Sequence, residues 1–453
     1  MTTRHRACDD FRQTSASTRR SWVDAPLTRR RLIAGGLGAT LAVYAAKAMP
    51  LTRMLEAAEA QAATAPNPPT LVSVFLPGGV DLLDTLVPRA GYGAYADLRK
   101  GLKLPEVPAL GSTGLGLHPA LSAGARGGVK GLFEAGKVGF MPGIDYANPD
   151  LSHFHSRHFW ETGLITQDQV PGWLGRWLDR RGGADNPFQG VTIGSTLSPV
   201  LRSSRVPVAA VTSPDDTQFW IRDTWGEAFE RGVATWGRLA DGGSGKPGPA
   251  AVRASTKLAM QVSERLAPYR SDEEKGFYPL KPAVAYPDFE ANGLARSLSQ
   301  LAGLLSLPLG VRVAAVEAEG DFDTHDNQPR ELDQGLRQVS EALAAFQADI
   351  EARGIADRVL TLVWSEFGRR PEGNESQGTD HGAGGVAWVQ GTRARSGILT
   401  EYPSLGRLDR DGNLAVTVDF RRVYASLLEQ WLGSDAGEVI PGAAGFGRLQ
   451  LIA

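Results

Sequence analysis

Seven short apolar runs, separated by segments of helical period, constrain the fold of this chain more than any other feature. They lie at 70–76, 138–141, 191–193, 206–211, 311–316, 359–364 and 385–389. The first, Thr70-Leu71-Val72-Ser73-Val74-Phe75-Leu76, is rich in β-branched residues and ends at Pro77-Gly78-Gly79. A strand with one wet face alternates apolar and polar residues, whereas a continuous apolar run is buried on both faces. Amphipathic helical patterns fall between the runs, at 129–135, 173–180, 251–266, 294–305, 331–353 and 421–432. Doubly buried strands separated by such helices predict an α/β fold, with a mostly parallel sheet flanked by helices on both faces.

Charge is distributed unevenly. Residues 1–60 carry ten Lys/Arg against five Asp/Glu, and the remainder carries 38 against 45. A mildly acidic body leaves no electrostatic footprint for nucleic acid. The basic residues gather in Thr28-Arg29-Arg30-Arg31-Leu32-Ile33, just before the apolar stretch 34–46. Small residues follow, with Ala58-Glu59-Ala60 and Ala60-Gln61-Ala62 as cleavage candidates. These are the parts of a secretory signal, and the paired arginines resemble those read by the twin-arginine translocase. The apolar stretch is shorter than the ~20 residues of a membrane span. Residues 1–65 therefore read as signal and linker, and 66–453 as one domain in which 215–305 is helix-rich and carries a glycine-rich loop at 241–249. The expected location is extracytoplasmic, periplasmic or secreted. The one cysteine, Cys8, falls in the leader, so the mature body needs no disulfide.

Of seven histidines, six lie beyond the leader: His118, His153, His155, His158, His325 and His381. All sit at or near predicted strand ends or the helices that follow them. In open parallel sheets ligands bind at the carboxyl ends of strands, so these histidines are expected to gather largely at one polar centre. Carboxylates accompany them. Asp81 follows the first strand, Asp321 and Asp323 precede His325, and Glu366 follows the strand at 359–364. Imidazole and carboxylate groups spaced in this way suit a divalent metal. Ser152 stands where a helix N-cap would, facing the positive end of the helix dipole. Arg369 and Arg370 have the geometry to clamp a tetrahedral anion.

Six ordered stretches carry a family resemblance: Gly78-Gly79-Val80-Asp81 with 85–88, Leu117-His118-Pro119, Ser152-His153-Phe154, Phe322-Asp323-Thr324-His325 with Gln328, Ser365-Glu366-Phe367-Gly368-Arg369, and Gly378-Thr379-Asp380-His381-Gly382. Together they resemble the exported domain-of-unknown-function family 1501, placed in the alkaline phosphatase and sulfatase-like superfamily. That resemblance implies an alkaline phosphatase-like fold. It implies Ser152 as nucleophile, and Asp81, Asp323, His325, Glu366 and His381 as metal ligands; His153 and Arg369 are taken beside Ser152 as further catalytic candidates. The sequence departs from the superfamily pattern at Glu366-Phe367, where Asp-His is usual.

The resulting expectation is an exported, metal-dependent hydrolase of phosphate or sulfate esters. Its substrate would be a small-molecule or polymer ester, and its cofactor a divalent ion, with zinc, calcium, magnesium and manganese all open. The alternative is a non-catalytic exported binding or assembly protein that retains the fold. A Ser-His-Asp esterase is disfavoured because no Gly-x-Ser-x-Gly elbow occurs. The leader makes the first prediction. Replacing Arg29 and Arg30 with lysine should leave the protein in the cytoplasmic fraction, and unchanged export would refute the twin-arginine reading.

Overall fold

The computed structural model describes residues 42–44, 68–105, 107–124, 126–219, 225–241 and 247–453. The arginine pair, the cleavage candidates and most of the glycine-rich loop lie outside the described residues. Of the apolar stretch 34–46, only Ala42–Tyr44 is described, as a short strand. Among the described residues no helix is long and apolar enough to cross a membrane.

In chain order the main strands are β1 (Thr70–Phe75), β2 (Val138–Asp145), β3 (Gly190–Ile193), β4 (Val208–Val211), β5 (Val313–Glu317), β6 (Val359–Trp364) and β7 (Gly385–Gln390). The helices are α1 (Leu82–Thr85), α2 (Tyr92–Leu98), α3 (Gly128–Glu134), α4 (His153–Thr162), α5 (Trp173–Arg181), α6 (Glu227–Asp241), α7 (Pro247–Leu266), α8 (Gly293–Leu305), α9 (Gln328–Ala352) and α10 (Phe420–Gln430). Every apolar run expected as a strand is one, while α1, α2, α4 and α6 fall outside the six helical patterns read from the sequence. The fold is a large mixed, mostly parallel sheet flanked by helices.

The chain forms two compact units. One comprises the described residues within 42–68, 171–281 and 303–314. In it β3 and β4 pair in parallel, and Ala42–Tyr44 runs antiparallel to β4. The other comprises 69–170, 282–302 and 315–453, and holds every candidate site residue. The strands wholly within it lie in the order β1-β6-β7-β2. β1 and β6 are parallel, with Phe75 opposite Trp364. β7 departs from the expected parallel pattern, being antiparallel to both β6 and β2.

That single reversal decides how the site assembles. β1, β6 and β2 all point the same way, so their carboxyl ends reach one edge of the sheet. β7 points the other way and brings its amino end to that edge. His381-Gly382, which precede β7, therefore join the loops that follow the other strands.

Packing then fixes α4. Trp160 stacks on Trp364 at 5.4 Å and on Phe420 at 4.5 Å, and the Tyr424 hydroxyl donates to the Trp160 carbonyl at 2.8 Å. Aromatic contacts of this kind add to what burial alone supplies. They anchor the carboxyl half of the helix whose amino end carries Ser152 and His153.

The turn after β1 shows why glycine is needed there. Gly78 has φ +114°, and a Cβ on it would lie 2.3 Å from the Asp323 amide nitrogen. Gly101 has φ +85° in open space. Gly101→Ala should cost about 1–2 kcal/mol from backbone strain alone. Gly78→Ala should cost ~3 kcal/mol or more, because strain and overpacking act together. Denaturant midpoints of the two variants check the difference.

Candidate metal centre

Asp323 is buried and receives more than one carboxylate usually holds. Its Oδ1 accepts from Arg369 Nη2 at 2.5 Å and lies 3.0 Å from His381 Nε2 and 3.1 Å from His325 Nε2. Its Oδ2 lies 3.5 Å from His153 Nε2. Burial opposes ionisation of Asp323, but hydrogen bonds from the three imidazoles, when their Nε2 atoms carry protons, and the Arg369 guanidinium outweigh it and hold the carboxyl well below its ordinary range. The aspartate that meets the histidines is thus Asp323. Asp321 is exposed, and its Oδ1 accepts from the Asp323 amide at 2.9 Å.

The far side of each ring fixes its tautomer. His153 Nδ1 faces Glu366 Oε1 at 2.8 Å, His325 Nδ1 faces Asp380 Oδ1 at 3.1 Å, and His381 Nδ1 faces the Leu151 carbonyl at 2.8 Å. These oxygens accept, so each neutral ring carries its hydrogen on Nδ1 and a lone pair on Nε2. All three lone pairs then turn toward Asp323, and His325 Nε2 is 3.0 Å from His381 Nε2. Lone pairs and a carboxylate at such distances repel unless positive charge stands among them, as protons on the rings or as a cation.

The donor set fits a cation. One ligand atom each from His153, Asp323 and His381 lies within 4.8 Å of the others. Around a tetrahedral ion with bonds of ~2.0–2.1 Å, ligand atoms sit about 3.3 Å apart. Rings tied through Nδ1 to carboxylates or carbonyls are also the usual second layer of support for metal-binding histidines.

Four of the expected site residues make other contacts here. Glu366 is not presented as a ligand. Its oxygens accept from Gly78 N at 2.9 Å, Gly79 N at 3.3 Å and Ser365 Oγ at 3.0 Å as well as facing His153. Burial disfavours its charge, yet the His153 contact and the backbone amides hold its acidity on the strong side. It orients His153, expected in a catalytic role, whose Nε2 is one of the three donor atoms that could hold an ion. Arg369, expected to clamp an anion, is buried and committed elsewhere. It donates to the carbonyls of Gly78, Gly79 (2.9 Å), Thr379 (2.8 Å) and Phe322 (3.1 Å), and to Asp323. Asp81, expected as a ligand, caps α1 by accepting from Leu83 N at 2.9 Å, and it pairs with Arg99. Arg99 escaped sequence reasoning altogether, since a lone arginine after a weak helix gives no signal.

Ser152 occupies the N-cap of α4, but its side chain makes no capping hydrogen bond. It lies between Leu151, whose carbonyl anchors His381, and His153 itself. Leu151 has φ +60°, a left-handed conformation that costs a non-glycine residue about 1–2 kcal/mol. Strain of this kind collects at functional sites.

The other histidines do not join the centre. His155 Nδ1 lies 2.8 Å from Asp150 Oδ2, and His158 Nε2 2.9 Å from the Asp168 carbonyl. His118 is buried and its Nδ1 accepts from Ala120 N at 3.1 Å. Three of six histidines converge, fewer than the sequence suggested. Phe367, standing where the superfamily has an imidazole, packs against the rings of His153 at 4.9 Å and His381 at 4.5 Å.

Residues 292–442 match the family described as "Protein of unknown function (DUF1501)", the family that the ordered motifs resemble. No curated protein matches in sequence. Among solved structures the chain aligns with Ps i-CgsB in complex with k-i-k-neocarrahexaose, at 10% identity over 84% of this chain and 75% of that one, with TM-score 0.36. It also aligns with the alkaline phosphatase from the Antarctic bacterium TAB5, at 11% identity over 72% and 91%, TM-score 0.31. A protein in the alkaline phosphatase superfamily from Vibrio parahaemolyticus aligns at 9% identity over 88% and 78%, TM-score 0.33.

Burial pushes the His118 imidazole down to about 4, against 6.5 ordinarily. Below pH 6.5 the unfolded chain takes up a proton that the folded chain refuses until about pH 4. Stability contributed by the neutral ring is therefore present above pH 6.5 and lost as pH falls toward 4, by roughly 3 kcal/mol. His118→Asn keeps a capping acceptor and removes the titration. Its unfolding free energy should fall less than that of the unmodified protein between pH 7 and pH 4.5.

Proposed function

We propose that this chain is an exported metal-dependent hydrolase of phosphate or sulfate esters, with Ser152 as its nucleophile. The observation that carries the reading is the convergence of three imidazole Nε2 atoms on Asp323, with Ser152, whose side chain caps nothing, one residue before His153. His153, Asp323 and His381 would hold the ion, with His325 against them. A divalent ion there would polarise an ester oxygen and favour ionisation of a nearby hydroxyl. The protein supplies the rest. Glu366, Asp380 and the Leu151 carbonyl keep the rings turned inward, and α4 presents Ser152 at its positive end. Export through the twin-arginine route belongs to the same reading, supported by the leader and by a body free of cysteine.

The commitment of Arg369 to carbonyls and Asp323 favours the second reading, a non-catalytic binding or assembly protein, because all three nitrogens of that buried guanidinium are engaged within the protein. Arg370 remains part-exposed beside the loop.

Two variants separate these readings. His381→Ala should lose most of the bound divalent ion, measured by atomic emission on purified protein, and lose thermal stability with it. Ser152→Gly should keep the ion and, because glycine tolerates the cap position, cost only a few tenths of a kcal/mol. It should nevertheless abolish hydrolysis across a panel of phosphate and sulfate esters. An active glycine variant would remove the nucleophile assignment, and a native protein inert toward the whole panel would favour the binding role.

A further inference from the structure

Asp81 and Asp84 are both buried and converge on one guanidinium, that of Arg99, which is itself fully buried. Arg99 Nη2 donates to Asp81 Oδ1 at 2.8 Å, and Nη1 contacts Asp81 Oδ2 and Asp84 Oδ2, the latter at 3.3 Å. Arg99 Nη2 also donates to the Arg370 carbonyl at 3.2 Å. The Gln328 carboxamide completes the cluster. Its Nε2 donates to Asp81 Oδ2 at 2.7 Å and Asp84 Oδ2 at 2.8 Å. Its Oε1 accepts from Thr324 Oγ1 at 2.9 Å and Thr379 Oγ1 at 2.6 Å. Those threonines stand one and two residues ahead of His325 and His381, and Thr379 N donates to the Thr324 carbonyl at 3.0 Å.

We propose that Arg99 is a resident cation: its guanidinium holds the place that a divalent ion would take between Asp81 and Asp84, so the protein's metal binding is confined to the histidine cluster. Remove the guanidinium and the cage presents carboxylate oxygens from both aspartates and a peptide carbonyl, all hard donors. Such a set takes magnesium, calcium or manganese. A guanidinium fills it better for one purpose. It stays protonated, matches a carboxylate with two parallel hydrogen bonds, and cannot be chelated away. Gln328 is therefore pinned whether or not metal is at hand, and the two loops that carry His325 and His381 are set before an ion arrives. Arg99 thus acts as a positioning residue. Only the confinement to the histidine cluster rests on the metal reading of that cluster.

The test counts ions. Arg99→Ala, equilibrated in turn with magnesium, calcium and manganese chlorides, should bind one more ion per chain than the unmodified protein, and that ion should raise its thermal midpoint. Arg99→Ala with Asp84→Asn should bind no extra ion. An Arg99→Ala protein that gains no ion, or that none of the three cations restores to a folded state, overturns the proposal. Asp81→Asn supplies an arm that leaves Arg99 in place. It should keep the unmodified ion count, and loss of the ion would make Asp81 a ligand after all. If the unmodified protein itself holds no ion, the histidine-cluster reading fails, while the gain in Arg99→Ala is still read against zero.

Discussion

Everything at the edge of this sheet is organised around the charge on Asp323. A buried carboxylate is tolerated only when positive charge and hydrogen bonds surround it. Arg369 meets that need from one side, and on the other three imidazole Nε2 atoms converge, where protons or an ion supply the positive charge. The guanidinium is itself held by the carbonyls of the Gly78-Gly79 turn, of Phe322 and of Thr379. Loops from three strands are thereby drawn to a single point. The glycines follow from the same requirement, since Gly78 passes so close to Asp323 that no side chain fits between them.

Two buried charge clusters sit side by side with different solutions. Asp81 and Asp84 are met by an arginine supplied by the chain, so their charge is answered as soon as the protein folds. Burial still pushes Asp84 up to about 6, with Arg99 pulling the other way and the neighbouring Asp81 charge adding to the rise. Around Asp323 the chain supplies one guanidinium and then three groups whose lone pairs face inward. The first cluster is closed, and the second is completed by protons or by an ion. Gln328 joins them, donating to the first and accepting from threonines beside the second.

Much of this was legible in the sequence because burial writes directly into residue type. Continuous apolar runs marked the strands to within a few residues, and His153, Asp323, His325 and His381 were picked out from their positions at strand ends. Direction was not legible. A run such as Gly385–Gln390 reads the same whether it lies parallel or antiparallel, yet its reversal is why His381 approaches from the amino side. Role was not legible either. A strand-end carboxylate can point into a polar centre or hold a histidine that does, and Glu366 does the latter, with Gly78 and Gly79 amides also claiming its oxygens. Arg99 was invisible because its partners, Asp81, Asp84 and Gln328, are brought to it only by tertiary packing.

The pairing of β1 with β6 also sets a timetable. Ser365 and Leu76, hydrogen-bonded at 2.7 Å, are separated by 289 residues of chain. Contacts of such long range form slowly, because the loop between the partners must close before anything rewards it. On the ribosome β1 waits, apolar and unpaired, until most of the polypeptide has emerged. Until then there is no edge to which Glu366 can hold His153, and His381 has not yet been made. The centre is consequently a late product of synthesis, one that a chain threaded unfolded through a membrane would have to build on the far side, and that a chain folded first could carry across complete.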